Sequence, residues 1–532
     1  MTDTNLRPEL THHLMQRLQA FEEGFRRNLA LLGPPGGGKT FQLHQLMRTQ
    51  PQTVTTVYCA LYRESCRSFI RRLLCAILQA GLPEARASWT HAQHPLEELL
   101  EHAERQLPRS ASMIQPIEGL LTRRLFADAF VRALDTIPIL AEERGQPCML
   151  ILDEFVLLEE LGLTHAFHEL GKRVMTWPSV LFILTSSSLY RARMILRERL
   201  QLLFGQFELI TLGSVPPSTA GAWVEHELGG LAGASRIAPF LIQWLGAYPW
   251  YLSVFLKRLK ELAALGRLDS TEALFLQTAW DLIGSIEGSL HQWCVSRTEG
   301  LMRHRPGTRA IEALIHIAGG ARTATDIGKQ IGRAGLANAL QLLTEHDLAK
   351  RNGTCWTVTD PMLRCWLSTV LAAQRTDALP DHQELRQRFE HDVRTLWVHW
   401  AQLHELSFPE QVVGLFTKFS DETVSLDSKT GRLPKFHSVS THRSDTPGTG
   451  AYLIAQSQGK HWCAAIQEGR VDENVITEFD AFCRQQQLKP TRKVVITKST
   501  MDQHARLLAK AANMWVWELE ALNTLRGLYG PL

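Results

Sequence analysis

Nine cysteines are spread along the 532 residues, and no two of them form a Cys-x-x-Cys pair. Their dispersal from Cys59 to Cys483 gives neither a zinc-type spacing nor a disulfide framework, and it fits reduced thiols. No apolar run approaches the roughly 20 residues that cross a bilayer, so no membrane span and no membrane partner are expected. The opening MTDTNLRPELTHH has no apolar h-region, and no signal peptide is expected there. Internal repeats and low-complexity tracts are missing. So is a long basic block: beyond Arg191, Arg193, Arg197 and Arg199 the cations are scattered, and the formal net charge is +3. That total decides nothing about nucleic acid, because a basic patch can sit inside a near-neutral sum. These absences and the length together lead us to expect a cytoplasmic chain of roughly two to four domains.

Glycine, by contrast, is concentrated in one place. Residues 28–47 read NLALLGPPGGGKTFQLHQLM. Five residues, mostly apolar, are followed by Gly33-Pro34-Pro35-Gly36-Gly37-Gly38-Lys39-Thr40, which satisfies G-x-x-x-x-G-K-[ST] in full. The run 28–32 suits a buried parallel strand. Glycines let backbone N–H groups curl around a phosphate with no Cβ in the way. The helix that follows points its positive end at the same anion. Lys39 is placed to reach the β- and γ-phosphates of a nucleotide, and the Thr40 hydroxyl to hold Mg²⁺.

Such a loop needs acids. CMLILDEF (148–155) ends a buried-looking strand in Asp153-Glu154, where open α/β sheets bind ligands. Asp153 is expected in the Mg²⁺ shell and Glu154 as the residue that orients attacking water; Lys39 and Glu154 are the expected catalytic pair. A third run, VLFILTSSS (180–188), offers Thr185 and Ser186 as hydroxyls that could sense a γ-phosphate, with helix capping as the competing explanation. Arg191, Arg193, Arg197 and Arg199 follow; one could assist hydrolysis, though a solvated basic face is the commoner origin of such a run.

Along the chain, 1–215 alternates strand-like and helical segments, which implies a doubly wound α/β domain. The segment 216–303 has three-to-four-residue apolar spacing throughout and suits a helical lid. From 304 to 371 we expect three short helices and a hairpin turning at Asn352-Gly353, the pattern of a winged helix. Its third helix carries Asn338, Gln341, Glu345 and His346 but no Arg or Lys, poor chemistry for phosphate or guanine. The wing has Lys350 and Arg351, so DNA contact and protein docking both remain open. A polar linker, 372–388, leads to a last α/β domain, 389–532, with a loop-rich middle at 420–450 and strands near 450–456, 461–467 and 493–498.

The order of parts resembles the archaeal-type ATPases, a group within the STAND and AAA-like P-loop NTPases related to the Orc/Cdc6 initiators. The resemblance covers about 1–370. It rests on Arg7-Pro8-Glu9-Leu10, GPPGGGKT, LILDE, LGAYPWYL (245–252) and WTVTDPMLRCWL (356–367). It implies ATP with Mg²⁺ as the ligand, consistent with the lack of a guanine-reading Asn-Lys-x-Asp motif, and it implies that Pro249 lies near the adenine. Gln206 stands where the group often has an arginine, which argues against fast arginine-assisted hydrolysis. The last domain resembles the PD-(D/E)xK nuclease-like domain of these ATPases, with RFEHDV (388–393) matching its first helix. Yet Tyr452 and the Ala465-Ile466-Gln467 triplet occupy the positions of the metal acids and lysine, and Glu468 is one residue out of step. Nuclease activity is therefore not expected. Two functions follow: a nucleotide-driven switch, with slow turnover, that binds DNA, a protein partner or further copies of itself; or a DNA-handling motor or loader of the initiator or transposition-targeting kind.

Overall fold

A computed structural model describes residues 4–82, 95–199, 206–229, 231, 233–266, 270–376, 381–427, 429–443, 450–486 and 490–530. The described chain divides into two compact units, Met1–Lys257 and Arg258–Leu532. The expected lid, 216–303, is therefore shared between them. Phe204 and Gly205, part of the segment expected to carry an arginine, lie outside the described residues.

The first unit is built on five parallel strands: β1 (Asn28–Leu32), β2 (Thr55–Ala60), β3 (Cys148–Asp153), β4 (Val180–Ser186) and β5 (Phe207–Thr211), in the order β2-β3-β4-β1-β5. Every residue of β1, β3 and β4 is buried, as the near-continuous apolar runs required. Alternation sorts their side chains onto two faces. Leu150, Leu152, Phe182 and Leu184 join a cluster with Phe69, Phe130 and Phe155. Leu29, Leu31, Met149, Ile151, Leu181 and Ile183 pack with Leu14, Leu18 and Leu43 on the other. Both faces are covered, so the ends of the strands are what remain for chemistry. At those ends β1 passes through the glycine loop into the helix Lys39–Thr49, while β3 stops at Asp153.

In the second unit three helices, Gly307–Ala318, Ala324–Ile331 and Leu336–Glu345, precede an antiparallel hairpin of β6 (Ala349–Asn352) and β7 (Cys355–Val358). Thr323 and Asp326 cap the second helix reciprocally, and Asp360 caps the helix Pro361–Trp366. The helix expected from 389 starts earlier, at His382, and takes in the end of the expected linker. Three strands lie in the segment expected to be loop-rich: β8 (Glu422–Leu426) and β9 (Lys429–Leu433) form a hairpin, and β10 (Ser438–Arg443) follows. The alternation of β8, with Glu422, Val424 and Leu426 inward, was hidden by the polar Thr and Ser between. A further sheet, β10 (Ser438–Arg443), β11 (Ala451–Ser457), β12 (Lys460–Gln467), β13 (Arg492–Thr497) and β14 (Trp515–Trp517), is antiparallel across its first three strands and parallel across its last three.

Candidate functional site

The glycine loop folds into a turn with Gly36 and Gly38 at φ of +75° and +91°. Those left-handed values are cheap for glycine and costly for other residues. Lys39 is buried, 4% exposed. Its ammonium donates to the carbonyl oxygens of Gly33 (2.8 Å) and Pro34 (3.2 Å) and to the Ser187 hydroxyl (2.8 Å). The lysine thus lies back along its own loop, donating to oxygens of Gly33, Pro34 and Ser187.

Asp153 and Glu154, adjacent in sequence, have separate surroundings. Asp153 is buried and collects three hydroxyls: Thr40 (3.1 Å) and Tyr58 (2.9 Å) donate to Oδ2, and Thr185 donates to Oδ1. Burial, then the Asp153 charge, pushes the Tyr58 phenol well above its ordinary range, so it stays protonated and a donor. Glu154 takes the left-handed φ of +62°, which turns its side chain away from the strand. Its carboxylate is gripped by one residue: the Ser187 backbone N–H donates to Oε2 at 2.8 Å, and the Ser187 hydroxyl donates to Oε1. Glu154 Oε1 stands 3.9 Å from the Lys39 ammonium. Lys39, Ser187 and Glu154 therefore form one relay in which Ser187 accepts from the lysine and donates to the acid.

The hydroxyls singled out from sequence have partners of their own. Thr185 is buried beneath Asp153, where it also accepts from the Glu154 backbone N–H at 3.2 Å. Ser186 caps the next turn by accepting from Ser188 N at 3.0 Å. Ser187, one residue further on, is the hydroxyl that sequence reasoning passed over. Tyr58 was passed over too; its signal was a phenol in the middle of β2, the strand beside β3. Arg191 and Arg199 are both drawn to Glu159, and Arg197 lies 3.9 Å from Glu198. The Gln206 carbonyl accepts from Asn28 N, joining the edge of β5 to β1.

Pro249 opens the helix Pro249–Ala264, next to the glycine loop. Trp250 N donates to the Gly36 carbonyl at 3.4 Å, and a Cβ on Gly36 would lie 3.3 Å from Trp250 Cβ. Arg7 donates to the Gly213 carbonyl, just past β5, and burial lowers its guanidinium below the ordinary value. The donors match a magnesium nucleotide. A glycine turn, a lysine and a helix N-terminus suit phosphates. A hydroxyl and a carboxylate, Thr40 and Asp153, are the hard oxygens Mg²⁺ prefers.

In the second unit the wing-like hairpin is engaged. The Asn352 side chain donates to Ser425 O (3.0 Å) and accepts from Ser425 N (2.7 Å), adding a rung to β8. Thr354 N donates to Thr423 O at 2.8 Å. A Cβ on Gly353 would sit 2.0 Å from that same carbonyl. Beside the turn, buried Glu422 accepts from Arg322 Nε (3.0 Å), Ser420 N (2.7 Å) and Tyr529 OH (3.1 Å). The hairpin tip is thus occupied by its own chain. The side chains of Lys350, Arg351 and Thr354 face water. In the last sheet Tyr452 pairs in register with Ala465 and stacks on Phe482, with ring centroids 4.3 Å apart. Gln467 accepts from Gly450 N at 2.6 Å.

Residues 24–176 match the family model of an AAA domain. Among solved structures, a Walker-type ATPase of Pyrococcus abyssi is similar at 16% identity and a TM-score of 0.48, covering 68% of this chain and 95% of that one. The ORC2 protein of Aeropyrum pernix, solved as ADPNP–ADP complexes, is similar at 15% identity and 0.42, over 74% and 95%. The Aeropyrum pernix ORC1 protein in complex with DNA is similar at 14% and 0.36, over 69% and 94%. No curated protein matches the chain. Residues 24–176 are thus similar to an AAA domain, and the five-stranded parallel sheet and the glycine loop are those typical of P-loop NTPases.

Proposed function

We propose that the chain is an ATP-binding switch that hydrolyses its nucleotide slowly and couples nucleotide state to the binding of DNA or a protein partner. The observation that carries this is the convergence of Lys39, Thr40, Asp153, Glu154 and Ser187 at the ends of β1, β3 and β4. Lys39 would turn from Gly33, Pro34 and Ser187 to neutralise the phosphates, and Thr40 and Asp153 would hold Mg²⁺, which supplies charge neutralisation at the phosphates when bound. Glu154 would accept a proton from, and orient, the attacking water. Ser187 holds both Lys39 and Glu154 in their present places, so a γ-phosphate that draws Lys39 away also loosens Glu154. Pro249 and its helix, hydrogen-bonded to the loop through Trp250, would meet the base. Slow turnover is supported by the engagement of Arg191 and Arg199 with Glu159 and by Gln206 at the position where an arginine was expected. In this reading 304–371 is a winged helix and 389–532 a nuclease-like module without nuclease chemistry. The wing, fastened to β8, serves docking within the chain, and outside partners meet the helices.

Steady-state ATP hydrolysis, with and without duplex DNA, tests this reading. Slow turnover that DNA leaves unchanged and Glu154→Gln abolishes supports the switch. Turnover raised several-fold by DNA would favour the motor or loader instead.

A further inference from the structure

Three hydroxyls converge on Asp153, and only two of them, Thr40 and Thr185, lie in the motifs that mark a P-loop NTPase. The third, Tyr58, comes from β2. Its position is built. In the pairing of β2 with β3, Ala60 lies opposite Asp153 and Tyr58 opposite Ile151, so the tyrosine stands two residues short of the acid and reaches forward to it. Its ring packs on the face shared with Leu43 and Leu46 of the helix Lys39–Thr49, and His44 of that helix meets it edge-on at 5.7 Å. The helix whose first turn carries Lys39 and Thr40 therefore also fixes the phenol.

Two donors share Asp153 Oδ2: Thr40 at 3.1 Å and Tyr58 at 2.9 Å. A carboxylate has about four lone-pair sites, so three hydroxyls leave it one. A divalent cation engaging both Thr40 and Asp153 would take a lone pair of the Thr40 oxygen and one of the carboxylate, and would leave the O–H donors on that carboxylate in place. Tyr58 would be the donor on Oδ2 that is not itself a cation ligand, and it would help keep Oδ2 from swinging while Thr185 keeps Oδ1.

We propose that Tyr58 is a positioning residue that fixes the Asp153 carboxylate for a divalent cation. This rests on the nucleotide-binding reading above and deepens it. The test is Mn²⁺ affinity in the presence of ADP, followed by the electron paramagnetic resonance signal of free Mn²⁺, for wild type and Tyr58→Phe. Mant-ADP binding in EDTA is measured beside it. The phenylalanine keeps the ring against His44 and removes only the donor. Removing a hydrogen bond that orients a metal-binding carboxylate weakens metal binding about tenfold or more, while metal-free mant-ADP affinity should stay within about twofold. Unchanged Mn²⁺ affinity overturns the proposal. So does a parallel loss of metal-free nucleotide binding, which marks a purely structural role. Tyr58→Leu serves the same comparison if Tyr58→Phe does not fold. A wild-type protein that binds mant-ADP but no Mn²⁺ overturns this inference alone. One that binds neither overturns the nucleotide reading, and this inference with it.

Discussion

At the scale of single residues, the two adjacent acids have different surroundings. Asp153 is enclosed by hydroxyls, whereas Glu154 is held by one serine at a turn of positive φ. Glu154→Gln keeps the shape and the Ser187 N–H contact but removes the base. Its turnover should fall about 10²- to 10⁴-fold while ATP affinity is retained, measured by hydrolysis and by isothermal titration. Comparable loss of ATP affinity would place Glu154 in binding rather than in catalysis. Gly36→Ala puts a Cβ at left-handed φ against Trp250 and should cost about 1 kcal/mol of stability, seen as a lowered Tm, together with weakened ATP binding. The glycine loop and the Asp-Glu pair were legible in the sequence because each is a run of consecutive residues at the end of a buried apolar strand. Ser187 and Tyr58 were not, because their roles depend on which strands lie side by side, and β2-β3-β4-β1 is a crossover order that no local pattern states.

At the scale of elements, buried apolar runs gave β1, β3 and β4 their place, since a strand covered on both faces has no polar phase to confuse it. The hairpin β8–β9 escaped notice for the opposite reason: its inward positions include Glu422, whose burial is tolerable only because Arg322, Ser420 and Tyr529 satisfy it. Glu422→Ala would leave Arg322 and Tyr529 without that partner. The expected loss is about 3 kcal/mol, the low end for a broken buried pair, because Arg322 keeps part of its surface in water. Chemical denaturation measures it, and a change below about 0.5 kcal/mol would contradict the account of the clasp. A pH effect belongs to the same unit. His291, buried, accepts the Trp366 indole N–H at 3.1 Å, and burial lowers its pKa from 6.5. A proton is then bound more readily by the unfolded chain than by the folded one, so stability falls as pH drops below about 6.5 towards the depressed folded value. Denaturation midpoints between pH 7.5 and 5 should show that slope, and His291→Gln should flatten it.

At the scale of the whole molecule, the two compact units divide the work. Met1–Lys257 contains the glycine loop, the acids and the helix start at Pro249. Arg258–Leu532 contains the three-helix segment, its fastened hairpin and the last sheet. Across these parts the account has one central claim: that the loop at the end of β1 binds ATP through Lys39. Isothermal titration of ATP with Mg²⁺ into wild type and Lys39→Ala tests it most directly. The account predicts a saturable isotherm for wild type that is lost in Lys39→Ala, with the two proteins matched in far-ultraviolet circular dichroism. Equal ATP binding by both, or by neither, would contradict it.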